Sequence, residues 1–183
     1  MKRRKGLAAC AFFVLLSGGV LAASEGLWLD VPYVHQEKDG CGSAAVAMVM
    51  QYWIAKHAAI SPDRANPIQI QRELYSREAH GIYASAIQQY LRNSGLDAFA
   101  FRGEWKDFRE HIAKGRPLLV ALKPGSGAAL HYVVIAGVSP DDTAVIVNDP
   151  ARSKLLRVNR DEFVKGWRGT DYWTLLTLPK QSQ

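Results

Sequence analysis

Gln36-Glu-Lys-Asp-Gly-Cys41-Gly-Ser-Ala-Ala-Val-Ala-Met48-Val-Met-Gln-Tyr-Trp53 is the stretch on which the reading of this chain turns. Ala45, Met48, Val49, Tyr52 and Trp53 recur at helical spacing, which predicts a helix over 42–56 with one buried face. Lys38-Asp39-Gly40 is a turn signal, so Cys41 stands at the start of that helix. A thiol there meets backbone N–H groups with no helical partner, and their partial positive charge favours the thiolate. The small Gly42, Ser43, Ala44 and Ala45 let the helix lie close to a facing sheet. Upstream, residues 25–40 read as an extended entry segment, and Gln36 on it offers side-chain N–H donors that can serve an oxyanion beside the Cys41 backbone N–H.

Downstream, Pro62 and Pro67 punctuate a loop. Two further helices are expected over 68–77 and 83–93, the second stopped by Gly95. Trp105, Phe108 and Ile112 mark a fourth, stopped by Gly115. The period then changes to short β-branched or aromatic runs at 117–123, 131–138, 144–148, 153–158 and 172–178. Turn signals such as Pro124-Gly-Ser-Gly127 and Pro140-Asp-Asp142 separate them, so the strands form a mainly antiparallel sheet. A short helix over 161–167, with Asn159 as its cap, sits between the last two. Helices precede strands, so the class is α+β. Trp53, Trp105, Trp167, Trp173, Tyr132 and Tyr172 lie at helical or strand spacing and are assigned to the core, while Arg152, Lys154 and Arg157 belong to a solvent face.

The composition excludes disordered, collagen-like and coiled-coil classes: 48% of the 183 residues are hydrophobic and 22% charged. A net charge of +6 suggests a polyanion until its source is located. Lys2-Arg-Arg-Lys5 precedes the apolar Leu7–Leu16 and the small residues that end at Val20-Leu-Ala22, the pattern of a secretory signal peptide. Cleavage after Ala22 leaves a 161-residue mature chain, 23–183, read as one domain with a net charge of +2. The case for nucleic acid goes with the signal. If residues 7–23 instead stay as an anchor, they are the chain's one membrane contact. Either way the remainder is exported, to the periplasm or beyond. Cys10 leaves with the signal, so Cys41 is the single mature cysteine and has no internal disulfide partner. A reactive thiol and a buried inert one both satisfy that count.

Two further places carry chemistry. His131 opens the strand His131-Tyr-Val-Val-Ile-Ala-Gly137, and Asp149 closes the strand Val145-Ile-Val-Asn-Asp149 before Pro150. If these strands pair through the 140–142 turn, Asp149 comes near His131 and can fix its tautomer, while His131 reaches across to Cys41. Alone, a strand-end histidine suits a surface position and Asn-Asp-Pro a turn. Together with one thiol at a helix start they make a nucleophile, a base and an orienting carboxylate. His57, His80 and His111 have no such setting, and His35 is kept as a neighbour of Gln36. Cys41, His131 and Asp149 lack the close local ligand pairs that mark zinc sites.

These motifs resemble the papain-like cysteine peptidases typified by the double-glycine leader peptidases that process bacteriocin precursors. The likeness runs from Val31-Pro-Tyr-Val-His-Gln36 and Asp39-Gly-Cys-Gly-Ser-Ala-Ala-Val-Ala-Met48 through His131–Gly137 to Val147-Asn-Asp-Pro-Ala151. The resemblance implies a papain-like fold, with a helical half carrying the cysteine packed on an antiparallel sheet carrying the histidine. It implies Cys41 as nucleophile, His131 as general base and acid, Asp149 as orienting carboxylate and Gln36 as oxyanion donor. Gln36 lies five residues before Cys41, where the family usually has six. The best-known members are fused to an ABC exporter, for which 183 residues leave no room. The expectation is a stand-alone exported member, a group of which some accompany surface-fibre or amyloid secretion systems. It would hydrolyse a peptide or protein substrate without metal or organic cofactor. The alternatives are a binding or chaperone-like module that keeps the cleft without turnover, a metal or redox site on the same three residues, and acyl transfer to an amine.

Overall fold

The computed structural model describes residues 26–123, 125 and 129–180. The signal segment lies outside them, as does most of the 124–127 loop. Among the described residues seven strands and five α-helices follow in order: β1 (Leu27–Trp28), α1 (Cys41–Ala55), α2 (Pro67–Leu74), α3 (Ala84–Asn93), β2 (Leu96–Arg102), α4 (Trp105–Ala113), β3 (Leu118–Leu122), β4 (His131–Val138), β5 (Ala144–Asp149), β6 (Ser153–Asn159), α5 (Arg160–Arg168) and β7 (Trp173–Pro179). A 3₁₀ turn at Pro62–Ala65 leads into α2. All strand pairs are antiparallel, in the order β2-β7-β3-β4-β5-β6, with β1 paired to the far end of β4.

The expected strands and helices are found within a few residues of their bounds, and the α+β class holds. Gly95 and Gly115 end their helices in the left-handed region, at φ +94° and +70°, where a side chain would be strained. Asn159 does occupy the N-cap position of α5, but its side chain makes no capping bond and instead accepts from Arg157. Strands β1 and β2 have no counterpart among the strands expected from the sequence.

Alternation along the strands gives the sheet two apolar faces. Leu119, Ala121, Tyr132, Val134, Ala136 and Leu175 meet α1, α2 and α3 on one face. Leu118, Val120, Val133, Ile135, Val145 and Val147 meet Phe108, Ile112, Phe163 and Trp167 on the other. Helix α1 is not buried on one face only, because every residue from Gly42 to Met50 is buried. It runs between the sheet and the α2 and α3 layer, so its small residues are needed all round. Trp53, Trp167 and Tyr132 are core residues as expected; Trp105, Trp173 and Tyr172 are partly buried against the clusters. Among the described residues no helix is long and apolar enough to cross a membrane.

Gly42 packs closely against Ile82 and the β4 residue Tyr132. A Cβ there would stand 3.2 Å from the Ile82 Cβ and 3.4 Å from the Tyr132 ring. Gly42→Ala gains about 1 kcal/mol of helix propensity against that contact and is expected to be near neutral. Gly42→Val adds two methyl groups to a closed space and should cost about 1–3 kcal/mol, read as a lower midpoint in thermal unfolding. An unchanged midpoint for the valine variant would show that the helix can move away.

Candidate active site

The turn Glu37–Gly40 delivers the chain into α1, with the Gly40 N–H donating to Glu37 O at 2.9 Å and Asp39 held at φ +55°. Cys41 is the first residue of the helix. Gly40 provides no side-chain cap and the first turn holds no acidic residue, so no carboxylate within that turn offsets the positive end of α1 beside the thiol. The thiol is partly buried and donates to Leu130 O at 3.8 Å, which puts the chain entering β4 alongside the sulfur.

His131 follows as the first residue of β4. The pairing Val134↔Asn148 places Asp149 opposite Val133, hence two positions along from His131 on the same sheet face. Diagonal side chains at that separation can touch, and His131 Nε2 lies 2.8 Å from Asp149 Oδ1. The register shift between Val147 and Asp149 in the β5–β6 ladder, with Leu155 at φ +54°, turns the end of β5 at this point.

Asp149 is nearly buried, at 7% exposure. Its Oδ1 also accepts from the Ala151 N–H at 3.0 Å. Burial would raise its carboxyl, but the hydrogen bond and charge of His131, the Ala151 N–H and the nearby Arg152 outweigh burial and hold it below the usual range. Burial would likewise depress His131. Its hydrogen bonds to Asp149 and to the Cys41 sulfur, reinforced by the charge on each, outweigh that and raise the imidazole to about 9. Since Nε2 is taken by Asp149, Nδ1 is the nitrogen left for Cys41. Burial, with a smaller contribution from the Cys41 charge, pushes the Tyr132 hydroxyl up, and that hydroxyl donates to Ile82 O at 3.1 Å.

The entry segment is fastened to the end of β5. Asn148 is fully buried, donates to Val31 O at 3.0 Å and accepts from the Leu155 N–H at 2.9 Å. The Tyr33 hydroxyl donates to Asp149 O at 3.1 Å, and the Gln36 N–H donates to Pro150 O at 3.0 Å. Sequence reasoning put Asn148 at the end of a strand, with a turn as the plain reading of Asn-Asp-Pro, and gave Tyr33 no role; an amide next to a candidate carboxylate was the available signal. Gln36 is half-buried, and among the described residues its Oε1 is buried without a partner. It lines a cavity of about 280 Å³ with Ser43 and Ala44 of the first turn of α1. His35 is exposed at the rim of the same cavity. The structure therefore brings Cys41, His131 and Asp149 into one chain of contacts, and sets Gln36 against the helix that begins with Cys41. Among the described residues no group of three or more His, Cys, Asp and Glu side chains is arranged to hold a metal ion.

A family model described as Peptidase_C39 like matches residues 28–174, which include all four residues named above. The chain belongs to the C39-like peptidase family. Among solved structures, a C39-like peptidase from Bacillus anthracis is 16% identical over 87% of this chain and all of its own, with a TM-score of 0.66. A double-glycine-motif protease from an AMS/PCAT transporter, in complex with the leader peptide, is 23% identical over 84% of this chain and 94% of its own (TM-score 0.63). The peptidase domain of Streptococcus ComA, a bifunctional ABC transporter involved in a quorum-sensing pathway, is 20% identical over 81% and 98% (TM-score 0.61). At these identities the likeness is one of fold, and the fold is that of the papain-like C39 peptidase domains. No curated protein matches the chain.

Proposed function

We propose that this C39-like chain is an exported cysteine endopeptidase that hydrolyses peptide bonds of a secreted or periplasmic peptide or protein through Cys41, His131 and Asp149. The observation that carries the reading is the position of His131, bonded through Nε2 to Asp149 and facing the Cys41 sulfur at the uncapped start of α1. An imidazole raised to about 9 holds its proton at neutral pH. An imidazolium beside the sulfur is set to protonate a departing amine.

Cys41 Sγ attacks the scissile carbonyl carbon, and the carbonyl π electrons move to oxygen. We assign that oxyanion to the Cys41 N–H and the Gln36 side-chain amide. As the intermediate collapses, the C–N bond breaks and His131 Nδ1–H protonates the departing amine, leaving a thioester. Water then adds to the thioester, giving a proton to His131, and the C–S bond breaks to restore the pair. Asp149 holds the ring throughout. Export rests on the basic and apolar segment before Ala22. A peptide substrate is supported by the relative solved with a leader peptide. A component of a secretion or surface-fibre system is the partner we propose. The unpartnered Gln36 Oε1, with the short spacing to Cys41, favours a second reading in which the cleft binds without turnover.

Alkylation of Cys41 by iodoacetamide in residues 23–183, followed by mass spectrometry between about pH 4 and 9, separates the two. An ordinary thiol, with a pKa near 8.5, is only ~0.3% ionised at pH 6, so His131→Ala should slow labelling at that pH by about 30- to 100-fold. Equal rates in both proteins at pH 6 would remove the activated pair and leave the binding module.

A further inference from the structure

Beside the His131–Asp149 pair, on the α5 side of the sheet, lies a cavity of about 230 Å³. Leu122, Val133, Val147, Val158 and Phe163 wall it, and His131 and Asp149 also line it. Val133, Val147 and Phe163 are buried members of the core between the sheet and its helices, so these walls are fixed by packing. Arg152 and Glu162 line the cavity as exposed residues of opposite charge and together give it no net sign. The volume falls below the roughly 300–1,000 Å³ of sites that take whole small ligands, and it is many times the ~30 Å³ share of one water. It has room for a single side chain, and its apolar walls favour one without charge.

The chemistry says which residue of a substrate comes here. His131 must protonate the nitrogen that leaves, so that nitrogen sits against the imidazole. What is attached to it extends past His131, on the side of the ring away from Cys41, where His131 and Asp149 line the cavity. We propose that this cavity is the subsite for the substrate residue immediately after the scissile bond, and that it accepts a branched aliphatic or aromatic side chain. The inference rests on the peptidase reading of Cys41 and His131, and its test does not depend on turnover.

Second-order rates of Cys41 alkylation would be measured by intact mass on residues 23–183, with N-iodoacetyl-glycinamide, N-iodoacetyl-leucinamide, N-iodoacetyl-phenylalaninamide and N-iodoacetyl-aspartamide as probes. Each carries the tested side chain on the amine side of its carbonyl. The leucyl and phenylalanyl reagents should react about tenfold faster than the glycyl one, and the aspartyl reagent should show no gain. Ala129 is exposed and lines the cavity, so Ala129→Trp should fill it and bring the leucyl-to-glycyl ratio to about one. Val158→Trp, from a half-buried wall, blocks the cavity independently should the first variant fail to fold. A ratio near one in the unmodified chain, or a high ratio that survives both tryptophans, overturns the subsite. The glycyl rate in His131→Ala reports on the peptidase reading alone: an unchanged rate sinks that reading, while the leucyl-to-glycyl ratio still judges the cavity.

Discussion

Cys41→Ala is expected to abolish peptide-bond cleavage, His131→Ala to lower kcat/KM by about 10³-fold or more, and the two Asp149 variants to differ sharply from one another. Without the sulfur no thioester forms, and nothing else in the described site replaces it. Without His131 the departing amine has no acid within reach, and a positioned acid or base contributes about 10²–10⁴-fold. Asp149 touches neither substrate nor sulfur in the proposed mechanism, so its contribution is positional. It accepts from His131 Nε2 at 2.8 Å and from Ala151 N at 3.0 Å, both through Oδ1. The carbonyl oxygen of an asparagine can accept both bonds. In a serine-type triad such an amide traps the wrong histidine tautomer. Here the Cys41 sulfur also raises the imidazole, so a ring with a proton on each nitrogen is still supported when the carboxylate charge is gone, and the amide imposes no such choice. Asp149→Asn should therefore stay within about tenfold of the parent, whereas Asp149→Ala, which frees the ring, should lose about 10²-fold. The check is mass-spectrometric counting of new termini from a peptide pool, with kcat/KM on the best peptide. A residual activity in Cys41→Ala equal to the parent would end the thiol mechanism. An asparagine variant as slow as His131→Ala would show that the carboxylate charge, not ring placement, is what matters.

The meeting of Cys41, His131 and Asp149 was legible because each has a local sequence context that survives folding. Cys41 is fixed to a helix start by the turn before it and the helical spacing after it. Asp149 and His131 come together through a hairpin whose two strands and turn are all visible in the sequence. Parity then follows from register, since Asp149 opposite Val133 must share a face with His131. What was not legible depends on partners remote in the chain. Strand β2, Leu96–Arg102, carries apolar residues on both faces and lies between Gly95 and Gly103, so neither period stands out. It forms because β7 offers it seven paired positions. Two-residue β1 has no periodicity at all and is held by Gly137, where a Cβ would stand 2.6 Å from Leu27 O. The amide of Asn148 and the hydroxyl of Tyr33 look ordinary in sequence. Their role as ties between the entry segment and the end of β5 appears only once residues more than 100 apart are neighbours.

Thermal stability should be highest between about pH 4 and 6.5 and fall as the pH rises toward 9, and His131 should be responsible for most of that fall. Its folded pKa, about 9, lies above the ordinary 6.5, so the folded state holds this proton more tightly than the unfolded chain. That contribution is complete below pH 6.5 and is lost as the pH climbs through 9. Asp149 acts in the opposite sense: its carboxyl is held low, so its contribution is present above the ordinary carboxylate pKa of about 3.9 and is lost in acid. Where the two windows overlap the pair is fully effective. The His131 side chain is 27% exposed, and a shift of about two and a half pH units sets an upper limit of about 3 kcal/mol on its term. For a chain of this length that amounts to about 6–12 °C between pH 6 and 9.5. Other groups titrate over the same range, so the measurement is a difference: unfolding midpoints for the parent and His131→Gln at both pH values. The parent should lose more than the variant by several degrees. Cys41→Ala should lie between them, because the sulfur is one of the two groups that raise the imidazole. Parallel pH profiles for the parent and His131→Gln would mean that the proton on His131 is not held by Asp149 and Cys41, and the imidazolium as the acid for the departing amine would fall with it.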